Sequence, residues 1–169
     1  GRDIKRLEMI TERFSKIGSV PKLEKDDLLD ALEESVNYIR TRTSDKVIFT
    51  LHNASPSTVY APINRPLFAW VVENLCRNAV DAMDGVGKID MVVSDENQFA
   101  YIEISDTGKG IPKSKFKTVF EPGFTTKKRG WGLGLSLTKR IIENYHDGKI
   151  FVKQSEPGKG TTFRIVLKK

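Results

Sequence analysis

Asn74, Asn78 and Asp81 stand at spacings of four and three inside the apolar stretch Glu73 to Met83, ENLCRNAVDAM. Such spacing puts all three on one stripe of an amphipathic helix. Any fold of this chain must give a largely apolar helix a polar partner along that stripe. Carboxamide oxygens suit a hard cation such as Mg²⁺, and a half-buried amide needs a partner of that kind or a hydrogen bond. The plainer alternative is that the asparagines cap or satisfy neighbouring loops.

The flanking pattern supplies the rest of the elements. From Arg2 to Ile17 the residues Ile4, Leu7, Ile10, Phe14 and Ile17 recur every three or four positions, the seam of a helical pair or bundle, and Gly18 to Pro21 ends it near residue 20. Asp26 or Asp27 caps a second helix carrying Leu28, Leu29, Leu32, Val36 and Ile39. Lys46 to His52 reads as a strand with both faces partly buried, and Pro56, Pro62 and Pro66 leave room for a short strand near Val59. The asparagine helix then spans about 65–83, a hairpin follows over 87–94 and 99–105, and regular periodicity is lost from Thr107 to Trp131. A third helix over 133–145 and strands at 148–154 and 161–167 close the chain. A mixed sheet with three helices predicts an α+β fold, a two-layer α/β sandwich.

Charge narrows the class of ligand. The 169 residues carry a formal charge of +6, and the segment from Thr107 to Arg129 holds Lys109, Lys113, Lys115, Lys117, Lys127, Lys128 and Arg129 against one acid, Glu121. A basic excess concentrated in one glycine-containing loop suits a compact polyanion better than a nucleic-acid duplex, so no nucleic-acid partner is expected. Cys76 is the single cysteine, which excludes an internal disulfide and any cysteine-based metal cluster and fits a reducing, cytoplasmic setting. No apolar run approaches the roughly 20 residues that cross a bilayer, so this stretch is expected to be soluble; a membrane anchor would lie elsewhere in a longer protein.

Two glycine-rich motifs carry the chemistry. Asp106-Thr107-Gly108-Lys109-Gly110 follows a strand, where a partly buried carboxylate is a pure acceptor suited to an exocyclic amine, and glycines let a flat ring approach the backbone. Gly130-Trp131-Gly132-Leu133-Gly134 opens a helix, whose free N–H groups can hold phosphate. Neither is a dinucleotide fingerprint, because Leu135 and Lys113 occupy the places of the third glycine. No Gly-Lys pair is followed by Ser or Thr, so the P-loop is excluded too.

Taken in order, the asparagine helix, DTGKGI, the segment Phe120-Glu121-Pro122-Gly123-Phe124-Thr125-Thr126-Lys127 and GWGLGLSL resemble the boxes of the sensor histidine kinase catalytic domain over roughly residues 23–169. That domain belongs to the ATPase/kinase superfamily shared with gyrase, MutL-type repair proteins and heat-shock chaperones. The resemblance implies a Bergerat-type ATP-binding fold over 21–169, with residues 1–20 resembling the end of the dimerisation and phosphoacceptor hairpin. It implies ATP and Mg²⁺ as ligands. Asn78 would coordinate the metal, with Asn74 supporting the phosphate site; Asp106 would bind the adenine amine, with Gly108, Gly110 and Ile111 shaping the pocket. Thr126, Lys127 and Arg129 would meet phosphate from a lid, Lys127 together with Asn74 and Asn78 serving catalysis. Gly130, Gly132, Leu133 and Gly134 would form the hinge and the helix start, with Phe120 and Phe124 as lid anchors.

The resemblance also implies a branch. Hydrolytic members place a glutamate one turn before the metal asparagine, where this chain has Asn74; Glu73 lies about 100° around the helix. The chain therefore resembles a protein-histidine kinase passing the γ-phosphoryl group to a histidine on the hairpin and on to a response-regulator receiver domain. An anti-sigma-type serine kinase and a nucleotide-sensing interaction module are the alternatives. Asp81 stands where many members carry a basic residue, and Trp131 where a small or hydroxyl residue is usual. Neither His52 nor His146 lies in the helical context of a phosphoacceptor, so the acceptor is expected outside this chain. The intact family is a homodimer through a four-helix bundle, and with half a seam this piece is expected to be monomeric or weakly associated.

Overall fold

The computed structural model describes residues 21–123 and 134–169. In chain order the elements are β1 (Glu24–Asp27), α1 (Leu28–Arg40), β2 (Val47–Asn53), β3 (Tyr60–Ile63), α2 (Arg65–Ala82), β4 (Gly87–Glu96) and β5 (Phe99–Asp106). Two short 3-10 turns follow at Lys113–Lys115 and Thr118–Phe120, then α3 (Gly134–Arg140), a π turn at Ile141–Tyr145, β6 (Lys149–Glu156) and β7 (Gly160–Lys168).

Local chemistry sets the helix starts. Asp27 caps α1 by accepting the Asp30 N–H at 3.2 Å, and Asn64 caps α2 by accepting the Leu67 N–H at 3.1 Å. Pro66 lies in the first turn of α2, where a missing N–H costs nothing. Residues 67–76 of α2 are all buried, Phe68, Val71 and Val72 completely, so this helix is the centre of the core. Arg65 at its start bonds Asp26 at 2.7 Å, Asp30 at 3.0 Å and Glu34 at 2.9 Å, tying β1, α1 and α2 together.

A five-stranded sheet runs in the order β2-β4-β5-β7-β6. β2 and β4 are parallel and the other neighbours antiparallel, so the sheet is mixed as expected. Ile89, Met91 and Val93, Ala100, Ile102 and Ile104, and Phe163, Ile165 and Leu167 point to the helices and are buried, while the alternate residues are mostly half-exposed. This is the two-layer α/β sandwich.

Three details differ from expectation. The strand β2 does not bury both faces: Ile48 is 61% exposed, because β2 is an edge strand and, among the described residues, no layer covers the sheet's second face. Residues 24–27 form a strand that pairs with β3 in a separate two-stranded sheet; four residues with three acids show no strand pattern. The third helix is α-helical only to Arg140 and finishes as a π turn. The N-terminal amphipathic stretch and the boundary near residue 20 lie outside the described residues.

Candidate functional site

On α2, Asn74 faces α3. It is 5% exposed, and its Nδ2 donates to Thr138 Oγ1 at 3.0 Å. Thr138 is completely buried and its hydroxyl donates to the Gly134 carbonyl at 2.8 Å. A Cβ at Gly134 would lie 2.8 Å from Asn74 Oδ1, so a larger residue there would displace the Asn74 amide. Asn78, one turn further along α2, is half-buried, whereas Asp81 is exposed. Glu73 is buried at 3%. Beside it Cys76 is sealed in the core, and burial, with Glu73 adding to it, pushes the thiol up to about 12. That thiol is inert.

The second half of the site is built at the end of β5. Asp106 is half-buried, and its Oδ1 accepts the N–H groups of Gly108 at 2.8 Å and Thr161 at 3.3 Å. Burial pushes this carboxyl above the usual carboxylate range, while the two N–H groups pull the other way. Backbone packing holds the loop after it. A Cβ on Gly108 would sit 2.6 Å from the Ala82 carbonyl oxygen, on Gly110 2.1 Å from that of Glu156, and on Gly160 2.0 Å from that of Asp106. Lys109 donates its N–H to Ala82 at 2.9 Å, and the Ile111 N–H reaches Ser155 Oγ at 2.7 Å.

The structure therefore gathers Asp106, Gly108, Gly110 and Ile111 into one loop packed against α2 and the β6–β7 turn, and Asn74 and Gly134 into a helix–helix contact. Thr126, Lys127, Arg129, Gly130, Gly132 and Leu133, with Phe124 and Trp131, lie outside the described residues. Phe120 is buried and packs edge-on against Phe163, ring centroids 6.0 Å apart, a firm anchor for the segment that follows. Sequence reasoning missed Thr138, Ser155, Thr161 and Gly160; the turn Glu156 to Gly160 signals a hairpin, and nothing in it marks the loop after β5, some fifty positions earlier, as its neighbour, because that depends on β7 pairing with β5.

His146 is 3% exposed. Its Nε2 accepts the Asn64 N–H at 3.1 Å, so the proton is on Nδ1, which donates to the Ile141 carbonyl at 3.0 Å. Both ring nitrogens are thus occupied in joining the start of α2 to the π turn. His52 is exposed on the edge strand β2.

Residues 64–169, from the cap of α2 to the end of β7, match the family of histidine kinase-, DNA gyrase B-, and HSP90-like ATPases. The chain belongs to this family. Within the family it is similar to sporulation kinase A of Bacillus subtilis (strain 168), 34% identical over 131 residues, covering 78% of this chain and 21% of that kinase. It is also similar to the signal transduction histidine-protein kinase AtoS of Escherichia coli (strain K12), 46% identical over 112 residues, covering 63% of this chain and 18% of AtoS. The chain thus spans about a fifth of the length of these relatives. Among solved structures, the catalytic domain of histidine kinase ThkA superimposes with a TM-score of 0.78 at 27% identity, over 88% of this chain and 96% of that one. The sandwich is the histidine kinase catalytic fold.

Proposed function

We propose that this chain is the ATP-binding catalytic domain of a sensor histidine kinase, with residues 1–20 the end of the dimerisation and phosphoacceptor hairpin. The γ-phosphoryl group of ATP passes to a histidine on that hairpin and then to an aspartate of a response-regulator receiver domain. The observation that carries the reading is Asp106: a half-buried carboxylate at a strand end, with both backbone N–H groups spent on Oδ1. Oδ2 is then the acceptor offered to the adenine amine. The glycine loop beside it is held by backbone contacts, ready for a flat ring.

The donor set also fits Mg²⁺. Among the described residues no group of three or more His, Cys, Asp or Glu could hold a metal by itself. Mg²⁺ in nucleotide sites uses one or two protein oxygens together with substrate phosphates and waters, which the half-buried amide of Asn78 can supply. When bound, the ion would offset phosphate charge. The chain's own part is positioning, which is most of what phosphoryl transfer to an imidazole requires.

Transfer in place of hydrolysis is supported by the residue one turn before Asn78. A water-activating base is needed there for hydrolysis, and Asn74 is an amide whose nitrogen is already given to Thr138. The buried, doubly bonded His146 is no acceptor either.

Radiolabelled ATP supplied with a histidine-bearing hairpin tests the whole reading, with calorimetric titration of a non-hydrolysable ATP analogue on wild type and Asn78→Ala. Label on the hairpin histidine, and an Asn78→Ala loss of affinity confined to Mg²⁺ conditions, are expected. Tight nucleotide binding with no label would leave a nucleotide-sensing interaction module; label on a serine instead would leave the anti-sigma-type kinase.

A further inference from the structure

We infer that Thr138 is a positioning residue of the nucleotide site, acting through Asn74; this rests on the ATP-binding reading above. Oxygen and nitrogen of a buried amide are hard to tell apart by shape, and only the surrounding hydrogen bonds settle which is which. Here the neighbour settles it. The single proton of the Thr138 hydroxyl is spent on the Gly134 carbonyl, one turn back along its own helix, at 2.8 Å. What Thr138 Oγ1 has left is lone pairs. The Asn74 atom 3.0 Å away must therefore be the NH₂ group, which makes the other amide atom Oδ1; the whole amide lies against Gly134 at the first residue of α3.

The consequence reaches the ligand. Asn74 and Asn78 lie one turn apart on α2, and Gly134 begins the helix that packs against Asn74. Thr138 ties the carbonyl of that first residue and the side chain of Asn74 to one buried atom, so it sets both the spacing of the two helices and the face of the amide presented between them. A valine at this position has nearly the same shape and neither function. Without the hydroxyl, the Asn74 NH₂ is left in the core with no partner, and turning the amide over only exchanges one unsatisfied atom for another.

The chain itself, with Thr138→Val and Thr138→Ser variants, tests this against a purely structural role. Affinities are measured for a non-hydrolysable Mg²⁺-ATP analogue and for adenosine, which carries the base and sugar without phosphate, alongside thermal unfolding. Thr138→Val is expected to weaken the ATP analogue about tenfold while leaving adenosine unchanged, and Thr138→Ser to restore the wild-type ratio. Equal weakening of both ligands, or an unchanged ATP affinity in Thr138→Val, overturns the positioning role and leaves Thr138 as packing. Failure of the serine to restore the ratio overturns it as well. A wild-type chain with no affinity for the ATP analogue sinks the ATP-binding reading itself and this inference with it, and that outcome shows before any variant is made.

Discussion

The two ends of the site are held together by different means. Around Asp106, backbone presses on backbone: Gly160 against Asp106, Gly110 against Glu156 and Gly108 against Ala82. Around Asn74, side chains do the joining, through the Thr138 hydroxyl, and at the start of α2 through the imidazole of His146. On the ATP-binding reading, the strand side would hold the rigid, planar base, and backbone contacts give it walls that do not move. The helix side would meet the flexible phosphates and is assembled from side chains that can turn and exchange partners. The strand side should therefore fail by steric clash and the helix side by loss of hydrogen bonds.

The largest effect should come from putting a methyl group on the strand side. In Gly160→Ala the new Cβ would lie 2.0 Å from the Asp106 carbonyl oxygen and 3.0 Å from Thr107 Cα, both backbone, at φ +102°. Nothing there is a flexible side-chain end, so a loss of about 3 kcal/mol or more in urea unfolding is expected. A loss near zero would mean that the strand side is as adaptable as the helix side.

Asp106→Asn should separate binding from stability within the same pocket. Burial already disfavours the ionised carboxyl in the fold, and an asparagine oxygen can still accept from Gly108 and Thr161. The melting temperature should stay level or rise, while ATP-analogue affinity falls about 100-fold as an NH₂ group meets the adenine amine. A joint fall in both would show that the charge supports the fold and is not reserved for ligand.

A smaller, pH-dependent effect should mark the helix side. Burial lowers the pKa of His146 below its ordinary 6.5, against the opposing pull of the Ile141 carbonyl, which accepts from the ring. The unfolded chain then takes up a proton that the folded chain resists. Stability from this group is complete above about pH 6.5 and is lost as pH falls toward the folded value. Urea unfolding at pH 7.5 and 5.5 should show wild type losing more over that interval than His146→Gln. Asp106, with its raised value, works with the opposite sign, so the difference between the two proteins is the quantity to read. Parallel pH profiles would remove His146 from the account.

Much of this was legible in the residues because it is local. The cap of α1 at Asp26 or Asp27, the strand alternation and the order of the glycine motifs follow from chemistry within a few positions, and they place Asp106 at a strand end and the asparagines on one helix. What escaped depends on partners distant along the chain. The strand β1 exists because β3 pairs with it, residue for residue, from Glu24 opposite Ile63 to Asp27 opposite Tyr60. The π turn of residues 141–145 is followed by His146, whose ring accepts the Asn64 N–H 82 positions away and ties the turn to the start of α2.

By itself, then, the sequence determined the elements other than β1 and the π turn, their amphipathic faces and the residue types available to a nucleotide, since periodicity and turn chemistry act at short range. Only the tertiary structure decided which way the Asn74 amide faces, that Thr138, 64 positions away, orients it, and that Gly108, Gly110 and Gly160 are there for close backbone contact. Hydrogen-bond direction and steric exclusion are properties of neighbours in space, and these neighbours are brought together by the sheet order and the packing of α3 on α2.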